Sequence, residues 1–154
     1  MGDERGMTYE ELLNRDGYLT CTCSGTSMMP LLRPGRDVMI ISKKGSGLCR
    51  KYDAVLYRSG EKYILHRIIK VREDGYVIVG DNTFRKEYGV SDDRILGVLT
   101  GVVRNGKRIS DTDMSYRCYV RVWYAVYPLR AGIRRCVSII KSVGSKIKKG
   151  LFKM

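Results

Sequence analysis

Short apolar runs separated by glycine-containing turns limit the folds open to this chain more than any other feature of its sequence. Runs that alternate between apolar and polar residues, as β-strands do, cover residues 36–42, 53–58, 62–71, 76–80 and 95–104. Dipeptides that favour tight hairpin turns occur at Ser59-Gly60, Asp74-Gly75 and Asn105-Gly106. The pattern predicts a mostly β chain that folds as a compact, antiparallel, barrel-like domain.

A short helix is expected ahead of the first strand. Thr8 and Glu11 have the spacing of a capping box, and Gly17 is a fitting stop. This pattern predicts a helix over residues 9–16. We therefore expect a helical segment over residues 1–19, followed by the β domain over residues 20–110.

The remaining segment, residues 111–154, forms a tail that carries most of the positive charge. The chain has a formal net charge of +13, and residues 115–154 hold ten Lys and Arg but no Asp or Glu. Apolar residues recur between these charges at spacings of three and four, at Ile133, Val137, Ile140, Val143 and Ile147. The spacing predicts a basic amphipathic helix over residues 131–149.

Such a helix suits the surface of an anionic membrane. Trp123 and its flanking tyrosines fit the headgroup region, and each Lys or Arg near the surface adds about 1 kcal/mol of binding energy. We expect residues 116–154 to bind the membrane in this way. The alternatives are a solvated face packed on the β domain or a nucleic-acid-binding tail. Because Trp, Tyr and Ile alternate with the charges, the pattern favours the membrane over both alternatives.

One serine and one histidine carry the candidate chemistry. Ser27 lies in Gly25-Thr26-Ser27-Met28-Met29-Pro30, and His66 is the only histidine of the chain. A serine hydroxyl needs a neighbouring base to become a nucleophile, and imidazole is suited to that task near neutral pH. Each residue also has a structural interpretation, because serine is common in turns and a strand histidine is often a satisfied polar group.

The flanks of Ser27 and His66 resemble the sequence boxes of signal peptidase I, a family of membrane-leader serine proteases. The resemblance extends from about Gly25 to Lys107. The segments that resemble the boxes are residues 27–30 at the nucleophile, 32–38, 51–56, the Gly-Asp-Asn box at 80–82, and 95–98. It implies a signal-peptidase catalytic fold and a serine endopeptidase that cleaves leader or signal peptides after small residues.

The histidine is similar to that of the endoplasmic-reticulum and archaeal type of the family. The resemblance implies that Ser27 is the nucleophile, that His66 is the general base, and that an acid in or after the Gly-Asp-Asn box completes the site. Asp81 matches the first position for this acid, and Glu87 falls six residues on, where a second Asp is usual. Because Glu replaces Asp there, we rank Asp81 above Glu87.

The resemblance also assigns a role to the residues that flank the nucleophile. Many relatives have a serine two residues before it that stabilises the oxyanion, whereas this chain has Gly25. The backbone N–H of Ser27 is then expected to do more of this work. Thr26 and Met28 are expected to line the substrate pocket, although Met28 and Met29 could equally pack under the loop.

The sequence predicts neither a metal nor a cofactor. The five cysteines show no zinc spacing, and their odd number favours reduced thiols. Residues 1–22 are polar, no cleavable leader is recognisable, and no apolar run approaches the ~20 residues that a spanning helix needs. Members of the resembling family usually begin with such a helix, and this sequence departs from them. We therefore expect a peripheral membrane protein or a cytoplasmic one.

Two alternatives from other classes stay open. One is a self-cleaving regulator of the SOS-repressor type, but those proteins use a lysine base and carry a DNA-binding helix-turn-helix, for which the first 20 residues leave no room. The other is a non-catalytic adaptor that binds a membrane or nucleic acid. The resemblance leaves open which leader is cut and whether a partner subunit takes part.

Overall fold

The computed structural model describes residues 6–137 and residue 140. The chain forms two compact units, Met1–Arg117 and Cys118–Met154. Among the described residues, the first unit holds all the strands, and it also holds the candidate catalytic and substrate-binding residues. Its N-terminal segment and its strands belong together, and it ends seven residues after the last strand.

The first unit is built on one antiparallel sheet of eight strands. The strands are β1 Tyr18–Thr22, β2 Asp37–Lys43, β3 Ala54–Ser59, β4 Lys62–Arg72, β5 Gly75–Val79, β6 Glu87–Val90, β7 Ile95–Arg104 and β8 Lys107–Ser110. Their order in the sheet is β1-β2-β7-β3-β4-β5-β6. β7 has three partner strands, because β2 pairs along one edge and β3 and β8 pair one after the other along the opposite edge.

The sheet is open, so the predicted barrel-like closure is wrong. The two ends of the strand order are β1 and β6, which do not pair with each other among the described residues. Both end strands are short, at five and four residues. Closing a barrel requires its first and last strands to share a full hydrogen-bond ladder, and alternation within single strands carries no information about that pairing.

The individual strands follow the sequence pattern closely. The five strands predicted from alternation are confirmed to within two residues at each end, and the return after Asn105-Gly106 forms β8. The sequence does not predict the strand β6, because Glu87-Tyr88-Gly89-Val90 is short and does not alternate. In the structure Gly89 has φ 64°. With helices at both ends, the fold is mixed α/β instead of mostly β.

The predicted N-terminal helix is confirmed as α1, Tyr9–Asp16. The Thr8 hydroxyl accepts a hydrogen bond from the Glu11 N–H at 3.2 Å, and the Glu11 carboxylate accepts one from the Thr8 N–H at 2.7 Å. Gly17 ends the helix at φ 77°, a left-handed conformation that favours glycine. α1 lies against β1, β2 and β7, and its Leu12 and Leu13 are buried.

A second helix, α2, covers Met114–Ala125, and a third, α3, begins at residue 127 with its described part over 127–137 and residue 140. The predicted helix over residues 131–149 is therefore helical at 131–137 and at 140, and its other residues lie outside those described. Ile133, Val137 and Ile140 are exposed. Among the described residues, no helix is both long and apolar enough to cross a bilayer.

Apolar packing surrounds the middle of the sheet. One core cluster consists of the buried side chains Cys49, Val55, Tyr57, Ile68, Tyr76, Ile78, Val90 and Ile95. In β1, β2 and β7, the buried residues Leu19, Ile41 and Leu99 lie opposite one another and so share one face of the sheet. β3 and β4, which carry Tyr57 and His66, are thus held in place by apolar packing.

A buried ion pair crosses this core. Arg67 in β4 binds Asp81 through two hydrogen bonds of 2.9 Å, and both side chains are 0% exposed. Arg67 also donates to the Tyr52 carbonyl at 2.9 Å and to the Tyr116 hydroxyl of α2 at 3.0 Å. Burial alone would lower the pKa of Arg67, but the charge of Asp81 and the Tyr116 contact raise it well above its ordinary value. The guanidinium therefore stays charged, and its hydrogen bonds join four segments of the first unit.

We predict that Asp81→Ala lowers the free energy of unfolding by about 3–5 kcal/mol, because it leaves the Arg67 guanidinium buried without its counter-charge. Replacing both partners together, as Arg67→Met with Asp81→Leu, is expected to cost less than the single change. Urea unfolding followed by circular dichroism measures both. As a control, Asp16→Asn removes the exposed pair with Arg15 and is expected to cost no more than about 1 kcal/mol. Equal losses for Asp81→Ala and Asp16→Asn would contradict the prediction.

Candidate functional site

Ser27 lies in a compact loop between β1 and β2. The Met29 N–H donates to the Thr26 carbonyl at 3.2 Å, and the Leu32 N–H donates to the Met28 carbonyl at 2.9 Å. Met28 and Leu32 are buried beneath the loop. These contacts hold Ser27 at a turn whose underside is part of the core.

His66 lies in the middle of β4, where it is paired with Val55 of β3. Its side chain is 12% exposed. Burial lowers the pKa of His66 below its ordinary value, and the charges of Glu87 and Asp81 counter this effect only in part. The imidazole is therefore neutral at pH 7 and has one nitrogen that can accept a proton.

Glu87 is the carboxylate that contacts His66. Its Oε1 lies 3.2 Å from Nδ1 of His66 and accepts a hydrogen bond of 2.7 Å from the Tyr57 hydroxyl. The Tyr57 oxygen itself is 3.3 Å from Nδ1. A carboxylate on Nδ1 stabilises the tautomer whose proton is on that nitrogen, which leaves Nε2 as the acceptor.

Both oxygens of Asp81 are bonded to Arg67, and its negative charge raises the pKa of His66. Glu87, which we ranked second from the sequence, is the acid whose oxygen lies within hydrogen-bond distance of the imidazole. The spacing from the Gly-Asp-Asn box fitted either residue, and only the direction of the side chains separates them.

Gly80 brings Ser27 and His66 together. A β-carbon placed on Gly80 would lie 2.7 Å from the Ser27 carbonyl oxygen and 3.0 Å from both Cδ2 and Nε2 of His66. Glycine is therefore required there for space, since any side chain would push the Ser27 backbone or the imidazole aside. The Nε2 edge of His66 and the Ser27 carbonyl oxygen thus both lie beside Gly80.

Asn82 holds the loop of Ser27 in place. Its backbone N–H donates to the Ser27 carbonyl at 2.7 Å, and its side-chain amide donates to the Thr26 carbonyl at 3.2 Å. Sequence reasoning included Asn82 in the Gly-Asp-Asn box but gave it no role. The box is thus a clamp, in which Gly80 makes room and Asn82 binds.

The Ser27 hydroxyl makes no hydrogen bond among residues 6–137. In unliganded hydrolases the contact between nucleophile and base often tightens only when substrate binds. Gly25 is exposed, and its β-carbon position has nothing within 4 Å. The approach to the Ser27 backbone from that side is therefore open.

A cleft of about 690 Å³ extends from Ser27 and His66. One wall is the extended segment 22–25, and the other is residues 61–66 at the start of β4. Buried apolar side chains form part of its lining, namely Met28, Leu32, Met39 and Leu56. Met28 thus both packs under the loop and lines the cleft, so the two interpretations of this residue hold together.

One edge of β4 is unpaired along the cleft. β5 pairs with β4 only from Arg67 onward, and within the described part of the chain no strand pairs with residues 62–66 on that edge. The backbone groups on this edge are therefore available to an extended peptide, as those of exposed strand edges are, whereas the groups on the other edge are paired with β3.

The cysteines and acidic residues do not form a metal centre in the part of the chain that the structure describes. Cys21, Cys23, Cys49, Cys118 and Cys136 are free thiols. Burial raises the pKa of Cys49 to about 11 and also raises the pKa values of Cys21 and Cys23. These three thiols are therefore protonated at neutral pH.

Tyr57 is a site residue that sequence reasoning missed. It lies in β3, and its partner Glu87 is 30 residues away in the sequence. The alternation of β3 identifies Tyr57 only as a core residue, so no local signal marks its hydroxyl.

No protein-family model, curated protein or solved structure matches the chain.

We predict that Gly80→Ala lowers the free energy of unfolding by about 1–3 kcal/mol, because the added methyl group overpacks the contact between Ser27 and His66. Urea unfolding and the ring resonances of His66 in NMR spectra measure the two effects. Gly45→Ala is the matched control, since its β-carbon position has nothing within 4 Å. An unchanged His66 spectrum in Gly80→Ala would contradict the close approach.

We also predict that His66 titrates below its usual pKa of about 6.5, because burial disfavours its charged form. Glu87→Gln is expected to lower the pKa of His66 further, since the carboxylate stabilises the imidazolium. NMR titration gives both values without ambiguity, because the chain has one histidine. Glu61→Gln, at the far end of the same cleft, serves as the control. A rise in the pKa of His66 in Glu87→Gln would contradict the assignment.

Proposed function

We propose that the chain is a serine endopeptidase that resembles signal peptidase I. In this proposal Ser27 is the nucleophile, His66 is the general base, and Glu87 is the acid that orients the imidazole. The proposal takes the first two roles from the sequence resemblance and the third from the contacts of Nδ1.

One observation carries the proposal. At the end of an open cleft, the Nε2 edge of His66 and the backbone of Ser27 both approach within 3.0 Å of the same position above Gly80. The other imidazole nitrogen is bound to a carboxylate. This is the order of groups that activates a serine hydroxyl: a nucleophile, a base with a free nitrogen, and an acid behind the base.

The reaction then follows from the positions of the protons. The Ser27 hydroxyl attacks the scissile carbonyl carbon while its proton moves to Nε2 of His66, and Glu87 stabilises the imidazolium that forms. The Ser27 N–H stabilises the oxyanion. Collapse of this intermediate breaks the C–N bond, and His66 returns the proton to the leaving amine. Water then attacks the acyl-enzyme, with His66 again accepting and returning the proton, and releases the free acid and Ser27.

The cleft supports a peptide substrate in an extended conformation. The unpaired edge of β4, residues 62–66, ends at His66, so a peptide bound along it would lead directly to the reacting groups. The sequence resemblance supplies the finer specificity, which is a leader or signal peptide with small residues before the cut. It also supplies the surroundings, since residues 116–154 would hold the enzyme on an anionic membrane.

We predict that Ala-X-Ala leader peptides are cleaved by the wild type in the presence of anionic liposomes. Ser27→Ala and His66→Ala are each expected to lower kcat by at least about 1000-fold, because each removes one half of the proton-transfer pair. Cleavage followed by mass spectrometry gives both the rate and the cut position.

Ser46→Ala is the matched control, since Ser46 is exposed and lies outside the lining of the cleft. It is expected to keep its activity. Retained activity in Ser27→Ala, or its loss in Ser46→Ala alone, would contradict the proposal. Equal inactivity of all variants, with liposome binding intact, would favour the non-catalytic adaptor.

A further inference from the structure

Tyr57 places a polar hydroxyl at the end of a ring that the core holds rigidly. The side chain is 0% exposed and belongs to the core cluster with Val55, Ile68 and Ile78. Only the hydroxyl leaves this apolar environment, and it reaches the groups behind His66. The ring cannot turn away without opening a cavity, so the hydroxyl has a fixed position.

The Tyr57 oxygen, Glu87 Oε1 and His66 Nδ1 form a closed triangle. The distances are 2.7 Å between the Tyr57 oxygen and Glu87 Oε1, 3.2 Å between Oε1 and His66 Nδ1, and 3.3 Å between Nδ1 and the Tyr57 oxygen. Glu87 comes from the end strand β6, and its side chain is 33% exposed. Of the three groups, the carboxylate is the one with room to move toward solvent.

The triangle has two possible arrangements of protons. The phenol carries one proton, and burial together with Glu87 raises the pKa of Tyr57, so this proton is retained. When it points to the carboxylate, Nδ1 of His66 can donate its own proton to the same oxygen. When it points to Nδ1 instead, the neutral imidazole must carry its proton on Nε2.

We propose that Tyr57 is a positioning residue that selects the tautomer of His66 through Glu87. The inference rests on the proposed function, in which Nε2 must be free to accept the Ser27 proton. With Glu87 present, the Tyr57 hydroxyl holds the carboxylate against Nδ1 and so keeps Nε2 unprotonated. Without Glu87, the same hydroxyl donates to Nδ1 and turns the N–H of Nε2 toward Ser27, which is the unproductive tautomer.

The other charged groups around His66 do not carry out this selection. Asp81 is bonded to Arg67 through both oxygens, and Arg67, the next residue of β4, is wholly buried in that pair. Arg94 acts on Tyr57 only through its charge. Glu87 and Tyr57 are thus the groups within hydrogen-bond distance of Nδ1 among the described residues.

The proposal gives Tyr57→Phe opposite effects in two backgrounds. With Glu87 present, the substitution is expected to lower kcat on the order of tenfold with little change in KM, because the carboxylate is free to turn toward water. In the Glu87→Ala background, the same substitution is expected to raise kcat, because it removes the donor that stabilises the unproductive tautomer. A purely structural role would lower kcat in both backgrounds.

The experiment uses the full chain labelled with 15N-histidine, whose one histidine gives one pair of ring signals. We compare the wild type, Tyr57→Phe, Glu87→Ala and the double variant. The expected tautomer at high pH is Nδ1–H in the wild type and Nε2–H in Glu87→Ala. The Nδ1–H fraction is expected to fall in Tyr57→Phe and, in the double variant, to exceed that of Glu87→Ala.

Tyr76→Phe is the matched control. Tyr76 is buried in the same core cluster, and its hydroxyl donates to Asp92 at 2.5 Å instead of approaching His66. It is expected to leave the tautomer and kcat unchanged, while urea unfolding reports the cost of losing a buried hydroxyl. Glu87→Ala keeps the phenol and tests the tautomer claim even where Tyr57→Phe does not fold.

The outcomes separate this inference from the proposed function. The expected tautomers without any peptide cleavage would support the role of Tyr57 and contradict the peptidase proposal. Cleavage by the wild type, with the tautomer the same in all variants, would overturn the inference alone. A fall in kcat on Tyr57→Phe in both backgrounds would also overturn it.

Discussion

The buried pair of Arg67 and Asp81 is the interaction on which the rest of the structure depends. Because the two charges lie in an apolar core, each requires the other, and their doubly bonded geometry fixes the end of β5 against β4. The residues on either side of Asp81 are Gly80 and Asn82, which contact the loop of Ser27. The pair therefore sets the position of the clamp, and the clamp sets the position of the loop.

The candidate site and the core are built from neighbouring residues of one strand. Successive side chains of a strand point to opposite faces, so His66 lies at the cleft while Arg67 enters the interior. A displacement of β4 by one residue would exchange the imidazole and the guanidinium. The interior pair thus also fixes the register that presents His66 to Ser27 and Glu87.

The limits of the sequence reasoning follow from the range of each interaction. α1 was predicted well because Thr8, Glu11 and Gly17 act within one helical turn of its ends. The open sheet was not predicted, because the alternation of residues within one strand does not show which distant strand it pairs with. Asp81 and Glu87 fitted the same spacing rule, and the choice between them depends on Arg67 and Tyr57, which lie in other strands. Sequence spacing located the groups, while only tertiary contacts assigned them to partners.

The unpaired edge of β4 beside the cleft has a consequence for the behaviour of the protein in solution. An exposed strand edge can pair with the same edge of a second copy and so begin aggregation. Here the edge spans five residues, from Lys62 to His66. Its first residue, Lys62, is charged, and so is Glu61, which precedes it. Charged residues on a short edge hinder pairing with another sheet. The edge that would hold an extended peptide in the proposed function thus carries charges that hinder its pairing with a second copy of the chain.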